Sequence, residues 1–420
     1  MKLFRTSREV FSWSLYDWAN STYSTVVITA FFPVFFQKYW SIGTDSTVTT
    51  ARLGTLISAA GLLVAVISPF LGALADLRGQ KKRFTFLFML LGALSSAALA
   101  FVGAGEWMWA AFFYALGTTG FNASCTFYDS LLPSIAPGAK ANYASSLGYA
   151  LGYLGGGVML TLNVFMTLKP AWFGLASPEQ AVQVSFVLVA LWWAVFSLPL
   201  FRNVPEPPVA PTEKGWMHAF GGAWAQLKGT LSEIKNDRNL MLFVLAFWLY
   251  IDGVYTVINM AVDFGISLGF ASSDLITAVL LVQFVGFPFA LLFSKLASMW
   301  GSRVPILLCL VFYSFTLWGA MNMSQPWHFY VLAAVIGMVQ GGVQALSRSL
   351  FSRMVPPEKS GEYFGFFNLI GKFASILGPL LVGWGTFLFG DHRKGLLGIL
   401  VLFFFGGAFL WKVKEPGDGP

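Results

Sequence analysis

The chain has 420 residues, of which 56% are hydrophobic, 17% aromatic and only 11% charged. So few charges cannot cover the surface of a soluble fold, so the composition calls for an all-α, multi-pass membrane protein. The net charge of +7 is no nucleic-acid signal, because the basic residues stand in short loops between apolar runs.

A spanning helix needs about 20 mostly apolar residues. That rule predicts twelve spans: 11–36, 53–75, 84–103, 107–131, 143–166, 182–201, 240–264, 273–296, 304–323, 327–351, 363–389 and 395–412. With the N-terminus inside, twenty Lys and Arg fall on the cytoplasmic side and five outside, which puts both termini in the cytoplasm. A bacterial-type inner membrane is the expected location. Trp40, Trp107, Trp172 and Trp327 fall at outer span ends, and Trp13, Trp300 and Trp411 at inner ones, as interface anchors. The first apolar stretch is too long and too polar for a signal peptide. Cys125 and Cys309 lie in apolar runs and imply neither a disulfide framework nor a metal site.

The first span carries YDWANSTYSTVV, with Asp17 and Asn20 inside it. A carboxylate costs roughly 2.5–3.5 kcal/mol at the centre of a spanning helix, so Asp17 faces protein or water rather than lipid. The seventh span repeats the wording as YIDGVYTVINM, with Asp252 answering Asp17. An acid-bearing span recurring once per half points to a transporter of two related halves. The expected division is 1–201 for the first six-helix bundle, 202–239 for a linker and 240–420 for the second bundle.

After the second span comes GALADLRGQKKR, in which Gly72, Asp76, Gly79, Lys81, Lys82 and Arg83 follow a fixed spacing. This resembles the loop between helices two and three of the major facilitator superfamily. There the acid is understood to meet the N-terminal end of helix eleven, and the basic residues to hold the cytoplasmic side closed. An acid at the positive end of a helix dipole is stabilised, so the implication is physically coherent. The second half has a worn copy, SKLASMWGSR, in which Gly301 and Arg303 survive but Ser298 replaces the acid. The lock is therefore expected to be asymmetric and held by Asp76.

In the fifth span Gly148, Gly152 and Gly156 make a smooth face for a close helix contact. The neighbouring GYLGGG lies mid-span with no preceding strand, which excludes a dinucleotide loop. Between 202 and 239 a proline-rich stretch precedes Trp216, Phe220, Trp224, Leu227, Leu231 and Ile234 at spacings of three and four. That pattern predicts an amphipathic helix on the cytoplasmic leaflet.

YDWANS, YDSLLPSIAP, YIDGVYT, GGVQALSRS and GKFASILGP together closely resemble one branch of the superfamily. The branch holds the autophagy-related vacuolar effluxers of fungi and their bacterial relatives. The resemblance implies a twelve-helix facilitator exporting or exchanging small solutes, with amino acids proposed for the fungal members. Protons are a candidate co-substrate, the bilayer is the surrounding solvent, and a monomer without cofactor or nucleic-acid partner is expected.

In the superfamily, helices one, four, seven and ten surround the central cavity. On these lie Asp17, Asn20, Asn122, Tyr128, Asp129, Asp252, Asn259, Gln340, Gln344 and Arg348. Two readings stand side by side. Either these groups bind solute or coupling ion, or the acids and Arg348 form inter-helix ion pairs that close the cytoplasmic gate. Gln340, Gln344 and Asn259 are deeper and uncharged, and suit hydrogen bonding to a solute. Lys372 lies roughly 13 Å along the eleventh span, with Asn368 one turn before it. It either snorkels to the inner surface or pairs with an acid, Asp17 first and Asp252 second.

No Walker motif occurs, and His218, His328 and His392 lie in loops or near span ends. The expectation is a secondary transporter and not an enzyme. The competing readings are a membrane sensor or scaffold without transport, and a facilitator for a different solute class, a sugar, drug or lipid.

Overall fold

Residues 6–45, 48–49, 52, 55, 68–207, 216–267, 272–374, 377–390 and 392–416 are described in a computed structural model. Every regular element among them is helical. Helix α1 runs Arg8–Trp40. Ser7 caps it, its hydroxyl accepting from the Val10 N–H at 3.2 Å, and Glu9 in the first turn complements the dipole. Between Tyr23 and Phe31 the helix widens, so that the Phe32 N–H reaches back five residues to the Val27 carbonyl. The β-branched run Thr25–Thr29 and Pro33, which lacks an N–H and crowds the carbonyl four residues back, both weaken regular α-bonding here.

A helical stretch at 68–78 turns at Gly79, whose φ of 58° is left-handed, into α2 (Lys81–Leu99). There follow α3 (Trp107–Ser130), α4 (Lys140–Leu168) and α5 (Pro178–Asn203). Past the linker come α6 (Trp216–Asn236), α7 (Arg238–Ser267), α8 (Ser272–Trp300), α9 (Arg303–Met321) and α10 (Pro326–Met354). The chain ends with α11 (Ser360–Phe373), α12 (Leu377–Phe389) and α13 (Leu397–Trp411).

Among the described residues nine helices are long and apolar enough to cross a membrane. At 24 residues α3 has the length, but Asn122, Asp129 and its Ser and Thr make it more polar. The expected second span lies largely outside the described residues, and the eleventh is described as two helices, α11 and α12.

Among the described residues two large hydrophobic cores, with three smaller clusters beside them, hold these helices. One is built from buried residues between Val10 and Val204, the other from buried residues between Ile234 and Val413. Within the first, α4 lies close to α1 because of its glycines. A Cβ at Gly148 would stand 2.3 Å from Asp17 Oδ2, and one at Gly152 2.6 Å from Ser21 Oγ. Two tryptophans depart from their expected place: Trp13 and Trp40 are fully buried, Trp13 stacked on Tyr128 at 4.4 Å. Trp172, Trp300, Trp327 and Trp411 are exposed, as anchors at a lipid boundary would be.

Thr6 and Glu415, near the two ends of the described residues, lie at one end of the bundle, the terminal end. There Thr6 meets Tyr143 at 3.0 Å, Ser302 donates to Asn142 at 2.9 Å and Arg353 pairs with Glu415 at 2.9 Å. The linker helix α6 docks at this end against the start of α11. The Thr230 hydroxyl donates to Glu362, and Tyr363 donates to Glu233 at 2.9 Å.

Candidate functional site

Arg348 of α10 is the centre of the site. Its side chain is 4% exposed, and its guanidinium reaches Asp129 of α3 at 2.8 Å and Asp17 of α1 at 2.9 Å. Its Nε donates to Ser145 Oγ at 2.8 Å and Nη2 to the Ser145 carbonyl at 3.0 Å. Tyr128 donates to Asp17 Oδ2 at 3.0 Å, and the cation sits over the rings of Tyr149 at 4.4 Å and Trp13 at 4.9 Å. A planar fork with donors on three nitrogens reaches two carboxylates and a hydroxyl on separate sides, a width that the single nitrogen of an ammonium does not span. The cluster ties helices α1, α3 and α4 of one core to α10 of the other.

Above this floor lies a cavity of about 790 Å³. It extends away from the terminal end as far as Thr29, Met323 and Phe329. Asp17, Asn20, Asn122 and Asp129 line it from one core, and Gln340, Gln344, Arg348 and Asn368 from the other. Asn122 is tied to the Thr118 carbonyl at 2.9 Å, and Asn20 donates toward Cys125 Sγ at 3.6 Å. The sequence reading missed Tyr149, Tyr153, Tyr255 and Gln283, which also line the cavity. Gln283 of α8 donates to Thr25 of α1 at 2.9 Å, a bond between the cores. The signal was available, since Tyr149 and Tyr153 share a face of α4 one turn apart, beside the glycine row. That span had simply not been counted among the cavity helices.

Asp252 stands apart from this group. It does not line the cavity but is fully buried behind it, and its carboxylate accepts from the Leu377 N–H at 3.0 Å and the Gly378 N–H at 2.8 Å. These are the first N–H groups of α12, which have no partner of their own in the helix. Asp17, the acid first nominated for Lys372, is taken by Arg348 and Tyr128 instead. The side chains of Lys372 and Asn259 lie outside the described residues.

Around the terminal end the motif residues converge. Asp76 accepts from the Gly361 N–H at 3.0 Å and the Glu362 N–H at 2.9 Å, at the start of α11, and pairs with Lys81 at 2.8 Å. Lys81 is itself buried and donates to Ser360 Oγ at 2.7 Å. Gly72 is needed for the approach, because a Cβ there would stand 2.2 Å from the Gly361 carbonyl oxygen. Arg83 is exposed.

The worn copy is completed by a residue that sequence spacing could not reveal. Glu415, just past α13, accepts from the Arg303 N–H at 2.7 Å and pairs with Arg353. Arg303 also donates to the Val413 carbonyl at 2.8 Å. Glu206, just past α5, does the same for the first half, accepting from the Lys82 N–H at 3.0 Å. Its partial burial pushes its pKa up, opposed by the N–H groups it accepts from. The paired strings VPEP and VKEP were readable in the sequence, but only the fold brings each carboxylate to its loop.

The family profile described as "Vacuole effluxer Atg22 like" matches residues 39–416. The chain belongs to this family. This Atg22-like chain is 35% identical over 413 residues to an MFS-type transporter, YxiO, of Bacillus subtilis (strain 168), covering 98% of this chain and 96% of that one. It is 27% identical over 282 residues to autophagy-related protein 22-1 of Penicillium rubens, covering 62% of this chain. The alignment spans 47% of that fungal relative, about half its length. Among solved structures, the human organic anion transporter MFSD10 (TETRAN) superposes with a TM-score of 0.71 at 16% identity, covering 96% of this chain and 99% of that one. FucP in its outward conformation gives 0.70 at 12% identity, covering 99% and 100%. At such identities the likeness is one of fold, and the fold of the Atg22-like chain is that of the major facilitator superfamily.

Proposed function

We propose that this Atg22-like protein is a secondary transporter that exports or exchanges an amino-acid-like solute by alternating access, with protons as the coupling ion. One observation carries the reading: the cavity floor is a buried cluster of both signs, Asp17, Asp129 and Arg348, joining the two cores. A zwitterion offers the same two charges. Its ammonium can compete for the carboxylates and its carboxylate for the guanidinium. A buried ion pair broken without replacement is strongly unfavourable, so a solute that substitutes for it lowers the barrier to separating the cores. The amide side chains of Gln340, Gln344 and Asn368 add donors and acceptors along the cavity wall.

The moving bodies in this reading are residues 1–201 and 240–420, with 202–239 as linker. Both termini face the cytoplasm of a bacterial-type cell, so the Asp76 contact with α11 is a cytoplasmic lock. Counterflow in proteoliposomes, run over neutral amino acids, dipeptides, sugars and nucleosides, tests the proposal. Zwitterions should exchange, and Arg348→Met should abolish exchange. Flux of sugars or nucleosides alone would overturn the amino-acid class. Binding without any flux would favour a sensor.

A further inference from the structure

Asp252 is a buried acid with an unusual pair of partners. Its two oxygens hold the N–H groups of Leu377 and Gly378, the first two residues of α12. Thr256, one turn along α7, is a buried residue in the wall of the cavity; its hydroxyl donates to the Asp252 carbonyl at 2.7 Å and lies 3.4 Å from Asp252 Oδ1. Gly378 permits the arrangement, since a Cβ there would stand 1.8 Å from Thr256 Oγ1 and 2.8 Å from Asp252 Oδ1. Among the described residues no cation pairs with Asp252. Arg348 on α10 is committed to Asp17 and Asp129, and on its own helix Tyr250 is engaged with Ser347 while Tyr255 lines the cavity. Helices α12 and α13 contain no charged residue. Lys372, outside the described side chains, is the one cation between Glu362 and Asp391.

We propose that Asp252 is the proton-carrying residue of this transporter, and that its protonation through Thr256 releases the N-terminal turn of α12. An ionised carboxylate holds two backbone N–H groups by charge-assisted bonds; the protonated acid accepts more weakly and must place a proton of its own. The Thr256 hydroxyl turns from the Asp252 carbonyl to Oδ1, gives up its own hydrogen there and takes a replacement proton from cavity water, and the bonds to Leu377 and Gly378 weaken. The start of α12 is then free to change its angle to α7. The inference deepens the transport reading, giving its coupling ion a site.

The test uses the full chain in liposomes with no solute present. Hydrogen–deuterium exchange is followed in residues 377–389 of wild type, Asp252→Asn, Asp17→Asn and Lys372→Met. Comparing variants at one pH cancels the intrinsic pH dependence of exchange. In alkaline buffer the wild type should exchange on the order of tenfold more slowly than Asp252→Asn, and in acid the two should converge. Asp17→Asn and Lys372→Met should follow the wild type. Equal exchange at both pH values, or a difference that persists in acid, would overturn the proposal. So would loss of the pH response in Lys372→Met, which would move the proton to the lysine. If Asp252→Asn does not fold, Thr256→Val carries the test. It should slow the exchange response to a pH jump several-fold, and unchanged kinetics would remove the relay. The outcome stands apart from solute flux: a pH response without flux leaves Asp252 as a proton site in a protein of another function, whereas flux without a pH response overturns only this inference.

Discussion

Asp17 and Asp252 occupy matching places in two related stretches, yet the fold uses them differently. Each has a hydroxyl one turn later, Ser21 or Thr256, and each faces a glycine on a neighbouring helix, Gly148 or Gly378. Asp17 turns across the cavity to a guanidinium from the other core. Asp252 stays within its own core and holds main-chain N–H groups. An acid paired across the two cores must lose its partner when they separate. An acid that caps a helix inside one core need not, and can respond to a proton without any motion between the cores. The repeated unit is thus one acid-bearing helix with two possible couplings, selected by what stands opposite the carboxylate.

The largest effect that can break this comparison is loss of the shared cation. Arg348→Met leaves Asp17 and Asp129 buried without a counter-charge, and should destabilise the purified protein by about 3–5 kcal/mol in a denaturation titration. Arg348→Lys should recover only part of that, because an ammonium cannot reach both acids and Ser145 together. An equal loss from Asp252→Asn would mean that the two acids are energetically alike despite their different partners.

Next in size are the glycines. Gly148→Ala pushes a methyl group to 2.3 Å from Asp17 Oδ2, and Gly378→Ala pushes one to 1.8 Å from Thr256 Oγ1. Each should cost about 1–3 kcal/mol, read as a lowered midpoint in thermal unfolding. The two should differ in kind. Gly148→Ala should weaken the attachment between the cores, raising the reactivity of cysteines placed at the terminal end, while Gly378→Ala should leave that reactivity unchanged.

Much of the architecture was legible in the sequence because the bilayer imposes it: apolar runs of spanning length, a basic bias in the loops and an acid repeated in two spans. Asp76 could be placed at the start of α11 because its loop resembles that of the major facilitator superfamily, in which the acid meets that helix end. Residues whose partners come from distant segments were not legible. The resemblance, by placing their helices around a cavity, nominates Asp17, Asp129 and Arg348 but leaves open whether they pair, and leaves Lys372 as a second partner for the same acid. Asp252 was counted with the cavity because its helix was, whereas its side chain points behind that wall. Glu415 stands in a string, VKEP, that echoes VPEP of the first half, but only the fold brings its carboxylate to the loop around Arg303.

Smaller again is the lock at the terminal end. Asp76→Asn keeps the shape and removes the charge facing the N–H groups of Gly361 and Glu362 and the ammonium of Lys81. The helix-dipole part of that loss is worth on the order of 1 kcal/mol. The variant should raise cysteine accessibility at the terminal end several-fold. It should act on the same equilibrium as Arg348 and Asp17 and leave exchange in residues 377–389 untouched. A change there would join the two couplings that the comparison separates.

The smallest effect comes from Glu233 on α6, and it calibrates the others. Its carboxylate meets Lys359 and the Tyr363 hydroxyl, both at the start of α11, but the ion pair is 47% exposed on the Glu233 side and 37% on the Lys359 side. Those hydrogen bonds lower the Glu233 pKa from its ordinary value, with Lys359 the larger cause. A carboxyl whose folded-state pKa is depressed contributes stability that is fully present above its unfolded pKa of about 4.3 and is lost as the pH falls through the folded value. Exposure screens the pair, so Glu233→Gln should cost well under about 1 kcal/mol at neutral pH, and nothing at a pH low enough to protonate the wild-type carboxyl. Thermal unfolding of wild type and variant across the acid range reads both ends of that window. A constant difference at every pH would assign the effect to packing of α6 on α11. A loss as large as that of Arg348→Met would mean that the linker helix, and not the buried acids, holds the terminal end closed.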